Sequence, residues 1–249
     1  MKRMKRLCVL ACLVGVLAVP AVQAQMQVVI YQDLNNYSYG DGGEFNAVPN
    51  AALLSINPTL AGYSPSTENL NLTAGGPNFQ TFCVETLVTF TPGNVYNAII
   101  SNEILPDSQF PSGNPITMGT AWLYSQFAAG TLSGYDYTEG SGRIATAGDL
   151  QQAIWYLQGD VASLVNGGAD GTAFYTAAQT ALGGNINNAA NGAYGVVCLN
   201  LRDGNYQDQL MVAPGYTVVP EPSAVSFGLL LSLPLGLYKV RAFFRKQTV

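Results

Sequence analysis

At 249 residues the chain allows one domain or two small ones, and only 10% of its residues are charged, well below the usual quarter. It contains no histidine, which excludes histidine acid–base catalysis, Ser-His-Asp and Cys-His arrangements, and every His-containing metal site. Between residues 25 and 222 only Arg143 and Arg202 stand against all fifteen Asp and Glu, a net of −13 hidden inside an overall −5; such a surface repels phosphate backbones and excludes nucleic acid as a partner.

Residues 1–24 read as a secretory signal peptide. Lys2, Arg3, Lys5 and Arg6 precede an apolar run over residues 7–19, and Val22-Gln23-Ala24 places small residues at the cleavage positions. Cys8 and Cys12 leave with this leader, and no cysteine stands at the cut to carry a lipid.

The exported part, residues 25–215, opens on a β-branched and aromatic run at 27–32 that predicts a first strand. Residues 35–78 are rich in Asn, Gly, Pro and Ser and read mostly as loops with short strands. Over 79–90 the chain alternates, which predicts a strand, and Thr91-Pro92-Gly93-Asn94 is a turn from which 95–100 pairs back as a hairpin. The period then changes. Residues 117–129 are apolar nearly all round, a buried helix with Gly130 where a C-cap belongs. Thr146, with Asp149 three residues on, predicts the cap of a second helix running to Leu157, and 171–182 make a third, stopped by Gly183. Strands return at 195–201 and 207–213. Asp203-Gly204-Asn205-Tyr206-Gln207-Asp208 lacks the pattern of a calcium loop and reads as a polar turn. The expectation is one α+β unit, antiparallel and β-rich, with an inserted group of helices.

In residues 216–249, Pro220-Glu221-Pro222 is followed by an apolar stretch from Ala224 to Leu237 and a basic end containing Lys239, Arg241, Arg245 and Lys246. Twenty-one residues counted through Phe244 are enough for a transmembrane helix if Lys239 and Arg241 snorkel. This three-part tail resembles the PEP-CTERM sorting signal. The resemblance implies recognition by the membrane protease exosortase, transient anchoring in the inner membrane, cleavage near Pro220, Glu221 and Pro222, and delivery to the cell surface or exopolysaccharide matrix.

Two cysteines remain after the leader, Cys83 and Cys198. In an exported protein they read as one disulfide or as two buried thiols. Phe82-Cys83-Val84-Glu85, followed after a helical insert by Gln151-Gln152-Ala153-Ile154-Trp155, resembles the motif pair of bacterial surface thioester domains. That resemblance implies an internal thioester between Cys83 and Gln151, with Trp155 the motif tryptophan. It implies an adhesin that attaches covalently, once, to a partner polymer through an amine or hydroxyl, rather than a turnover enzyme. No cofactor and no metal are expected.

Helical geometry favours the same glutamine. Leu150, Ile154, Leu157 and Val161 form a core stripe, Gln151 and Trp155 lie about 100° round at its edge, and Gln152 at about 200° faces solvent. Trp155, one turn beyond Gln151, would shield the bond from water. Glu85 reads as a surface carboxylate at its strand's end or as a group that helps orient its neighbours near Cys83. The reading from another class is a structural matrix protein without covalent chemistry.

Overall fold

The computed structural model describes residues 24–32, 37–40, 42–56, 78–202 and 206–215. Residues 1–23 of the expected leader and the tail from residue 216 onward, with Pro220, Glu221 and Pro222, lie outside them. In chain order the strands and helices are β1 (Gln27–Gln32), β2 (Ser38–Tyr39), β3 (Gly42–Gly43), β4 (Phe45–Pro49), α1 (Ala51–Leu54), β5 (Phe79–Thr81), β6 (Val95–Ser101), β7 (Glu103–Ile104) and β8 (Asn114–Pro115). There follow α2 (Met118–Ala128), α3 (Ser141–Leu157), β9 (Val165–Asn166), β10 (Ala169–Asp170), α4 (Thr172–Leu182), β11 (Val196–Leu201) and β12 (Gln209–Val212). The arrangement is α+β, an antiparallel sheet carrying a helical group inserted between its strands. Among the described residues no helix is long and apolar enough to cross a membrane.

The main sheet has six strands in the order β12-β11-β6-β1-β4-β5. Its two edges meet. Just past β5 the chain runs beside β12: Leu210 N–H donates to Phe82 O (3.0 Å), Val84 N–H donates to Asp208 O (3.1 Å), and Cys83 bridges to Gln209. The sheet therefore curls back on itself and satisfies the edge groups that a flat sheet would leave open. This closure corrects the expected hairpin. β6 pairs with β1 and β11, while β5 pairs with β4 and ends at Thr81, because from Phe82 onward the backbone bonds are taken by β12. Both faces of the 79–85 segment are consequently buried, although the sequence alternates there. The turn at 91–94 is present, with Gly93 N–H donating to Ile30 O.

Two side-chain clusters fill the interior. Strand residues including Val28, Ile30, Ala98 and Leu199 form one, together with Cys83 and Trp155. The other joins the helices to the opposite side of β11 and includes Phe82, Leu123, Leu150, Ile154 and Cys198.

The helices follow the sequence closely at two of three places. Thr117 caps α2 by accepting from Thr120 N–H at 3.2 Å. The helix ends in a Schellman arrangement: Gly130, at φ +70°, donates to Phe127 O and Thr131 N–H donates to Gln126 O. α4 stops at Gly183 as expected. α3 differs. It starts at Ser141, so Thr146 lies within it and turns its hydroxyl back to Gly142 O (3.1 Å) while accepting from Asp136 N–H. Asp149 accepts from Asp170 N–H instead of serving a cap.

Candidate functional site

Packing decides which residues of α3 can act. Gly171 is placed so closely that a side chain there would meet the Ala153 backbone at 2.6 Å, so the 159–171 segment lies directly on the helix. Gln152 is therefore 2% exposed, donating from Nε2 to Ser163 O at 2.6 Å, where its position on the helical wheel predicts solvent. Gln151 is 1% exposed and points the other way, to the end of β5.

There it meets Cys83, which is fully buried. The Cys83 Sγ–H donates to Gln151 Oε1 at 3.2 Å, and Gln151 Nε2 donates to the Cys83 carbonyl at 2.7 Å. A third contact fixes the amide: Gly43 N–H, at the end of the short β2–β3 hairpin, donates to Oε1 at 3.1 Å. Two donors face one amide atom and a carbonyl faces the other, so only one orientation of the amide satisfies all three partners. Gly43 has φ +100°, a backbone conformation that L side chains rarely adopt. Its neighbour Gly42 leaves room for the Trp155 ring; a Cβ there would lie 2.5 Å from Cη2. The expected trio of Cys83, Gln151 and Trp155 is thus brought together, with Trp155 9% exposed.

Chemically, the amide carbonyl is polarised by a backbone N–H aimed where negative charge would develop on Oε1, the geometry of an oxyanion hole. The nitrogen that would leave is held by the Cys83 carbonyl. Against this, burial pushes the Cys83 thiol well above its usual range, and the carboxylates of Asp160 and Glu85 add to the rise; its own backbone N–H and the Trp155 indole pull the other way.

Cys83 and Cys198 are both free and lie in separate clusters, so the disulfide reading gives way to two thiols. Cys198 is also raised by burial, and it accepts from Asn200 Nδ2 at 3.3 Å.

Sequence reasoning missed the support behind Gly43. Glu44 is buried against Arg143, whose Nε donates to Oε2 at 2.9 Å and whose Nη2 pairs with Oε1. Tyr135 OH donates to Oε2 at 2.5 Å, and the guanidinium sits 4.4 Å over the Tyr37 ring. Burial works against the Arg143 charge, but Glu44 holds its pKa above the usual value; burial and then the Glu44 charge raise Tyr135. Arg143 lies two turns before Gln151 on α3, so one helix anchors both the amide and the residue following its oxyanion donor.

Glu85 is a correction. It is 2% exposed, accepts from Asp208 N–H at 2.6 Å, and secures the chain after Cys83 to the start of β12. Burial, and then the Asp208 charge, push its pKa to about 9. Asp208 is raised to about 6 by burial, although it accepts from Leu105 N–H, Asn200 Nδ2 and Leu201 N–H. Both folded-state values exceed the ordinary ones, so the folded chain retains protons that the unfolded chain releases. Their contribution to stability is complete below the unfolded pKa values and is lost as pH rises through the folded ones. The thermal midpoint should therefore fall from pH 5 to pH 9, and Glu85→Gln should flatten the fall above pH 6. A wild-type midpoint constant from pH 6 to 9 would contradict this.

No family model, curated protein or solved structure matches the chain. Among the described residues no group of His, Cys, Asp or Glu could hold a metal.

Proposed function

We propose that this chain is an exported surface or biofilm-matrix protein whose domain forms an internal thioester between Cys83 and Gln151 and uses it for covalent attachment. The observation that supports the reading is the three-point hold on the Gln151 amide, with Sγ and the Gly43 N–H at Oε1 and the Cys83 carbonyl at Nε2. Sγ adds to the amide carbon, Oε1 takes up negative charge against Gly43, and ammonia departs carrying the thiol proton. The product is an acyl group that an amine or hydroxyl of a surface or matrix polymer takes, giving an amide or ester and a free Cys83 thiol. Export through the leader and sorting by exosortase at Pro220-Glu221-Pro222, with transient inner-membrane anchoring, rest on the sequence alone.

A second reading, a structural matrix protein with two buried thiols, is favoured by one observation: burial holds the Cys83 thiol in its neutral, unreactive form. The intact mass of protein recovered from its native host separates the two. The expected product runs from near Gln25 to near Pro222 and is lighter by one ammonia. Cys83→Ala and Gln151→Ala each abolish that loss, and Gln152→Ala does not. Methylamine adds to the wild-type chain at Gln151 and releases the thiol. A full mass with two titratable thiols and no methylamine uptake would leave the structural reading standing.

A further inference from the structure

A ring that only kept water from the Cys83–Gln151 bond would need no polar atom. Trp155 has one, and its place in the fold gives it work to do. The residue is nine-tenths buried, it lies in the same cluster as Cys83, and its indole Nε1 is buried and makes no hydrogen bond of ordinary geometry, although the indole acts on the Cys83 thiol and lowers its pKa. Buried N–H donors without such a bond are rare in folded proteins because leaving one unpaired is costly. The ring's position is also tightly set: Trp155 follows Gln151 by one helical turn, and its Cη2 and Cζ2 occupy the space that the missing Cβ of Gly42 leaves open. The other groups around the pair are committed, Gly43 N–H to Oε1 and the Cys83 carbonyl to Nε2.

We propose that the Trp155 indole N–H is the donor that receives the Cys83 sulfur whenever that sulfur carries negative charge. The proposal rests on the thioester reading and gives Trp155 a part in the chemistry beyond shielding. In formation, the S–C bond forms and the C–N bond breaks as the thiol proton passes to the departing nitrogen; the indole stabilises the sulfur as that proton leaves. In attachment, an amine adds to the acyl carbon and the C–S bond breaks. The electron pair returns to sulfur, which faces the indole until it takes the proton released by the amine. The same N–H favours the ionised form of Cys83, in opposition to burial, Asp160 and Glu85.

The test compares wild type with Trp155→Phe, which keeps an aromatic ring and removes the donor. The rates of ammonia loss on refolding and of methylamine uptake should both fall about ten- to hundredfold, the range expected for a hydrogen bond to a charged group. Spontaneous hydrolysis should not rise. Unchanged rates, or faster hydrolysis with unchanged methylamine uptake, would make Trp155 a shield alone and overturn the proposal. If Trp155→Phe fails to fold, benzothienylalanine at position 155, an isostere with sulfur in place of N–H, takes over the comparison. A separate arm uses the Gln151→Ala chain, in which Cys83 stays a thiol with a small cavity beside it. Its alkylation by iodoacetamide at a fixed mildly alkaline pH should slow about tenfold when position 155 is Phe, one unit in thiol pKa. Equal alkylation rates overturn the proposal even in a protein that never loses ammonia, and slower alkylation sustains it there, so its failure and that of the thioester reading are told apart.

Discussion

Arg143→Met is expected to destabilise the folded chain by about 3–5 kcal/mol, read as a shift in the denaturant midpoint at constant slope. The guanidinium is 1% exposed, donates from Nε and Nη2 to Glu44 and from Nη1 to Tyr137 O, and lies over the Tyr37 ring. Removing it leaves the Glu44 carboxyl in the interior without its counter-charge, with Tyr135 OH still donating to it. That uncompensated charge, rather than the loss of attraction itself, carries most of the cost. The pair should therefore be strongly non-additive. Glu44→Leu combined with Arg143→Met replaces two charges by apolar groups and should recover most of the loss. Arg202→Ala, at an exposed position, should stay within about 0.5 kcal/mol of wild type. If the double variant were as unstable as the single one, packing of the arginine stem would be the better account of the site.

What the sequence revealed, and what it hid, follows from the range of the forces involved. The Cys83–Gln151 pair was legible because it is written as two short motifs, one on a strand and one on a helix, and because the position of Gln151 beside the Leu150–Ile154 stripe follows from helical pitch alone. The ends of α2 and α4 were legible for a similar reason: Thr117, Gly130 and Gly183 act on the turns next to them. Gln152 was misplaced because helical periodicity describes one packed face, whereas α3 is packed on nearly every side once the 159–171 segment lies on it. Glu85 was misplaced because alternation assigns faces only within a regular strand, and its segment had left β5 to close the sheet against β12. Gly43, Glu44 and Arg143 join chain positions about a hundred residues apart, and no local pattern marks a glycine-rich turn as the holder of an oxyanion donor. The one signal available was Arg143 itself, one of only two basic residues between residues 25 and 222.

Gly42→Ala should slow the loss of ammonia about a hundredfold or more while leaving a folded chain. An added Cβ would stand 2.5 Å from Trp155 Cη2 and 2.7 Å from Gln151 Cγ, too close for either to remain in place. Overpacking of this kind costs about 1–3 kcal/mol, less than a typical domain's total stability. The β2–β3 hairpin must lift, or the glutamine and the ring must move. Either movement lengthens the 3.1 Å bond from Gly43 N–H to Oε1, and removing one oxyanion donor typically costs a factor of 10²–10³ in rate. The control is Gly40→Ala in the same hairpin. Gly40 has φ +60° and nothing within 4 Å of its position, so alanine there adds backbone strain of about 1–2 kcal/mol without touching the site. Refolding each variant and following its mass over time gives the rates directly. A Gly42→Ala chain that loses ammonia as fast as wild type would remove Gly43 from the site. If Gly40→Ala were equally slow, the effect would belong to the stability of the hairpin and not to the placement of its donor.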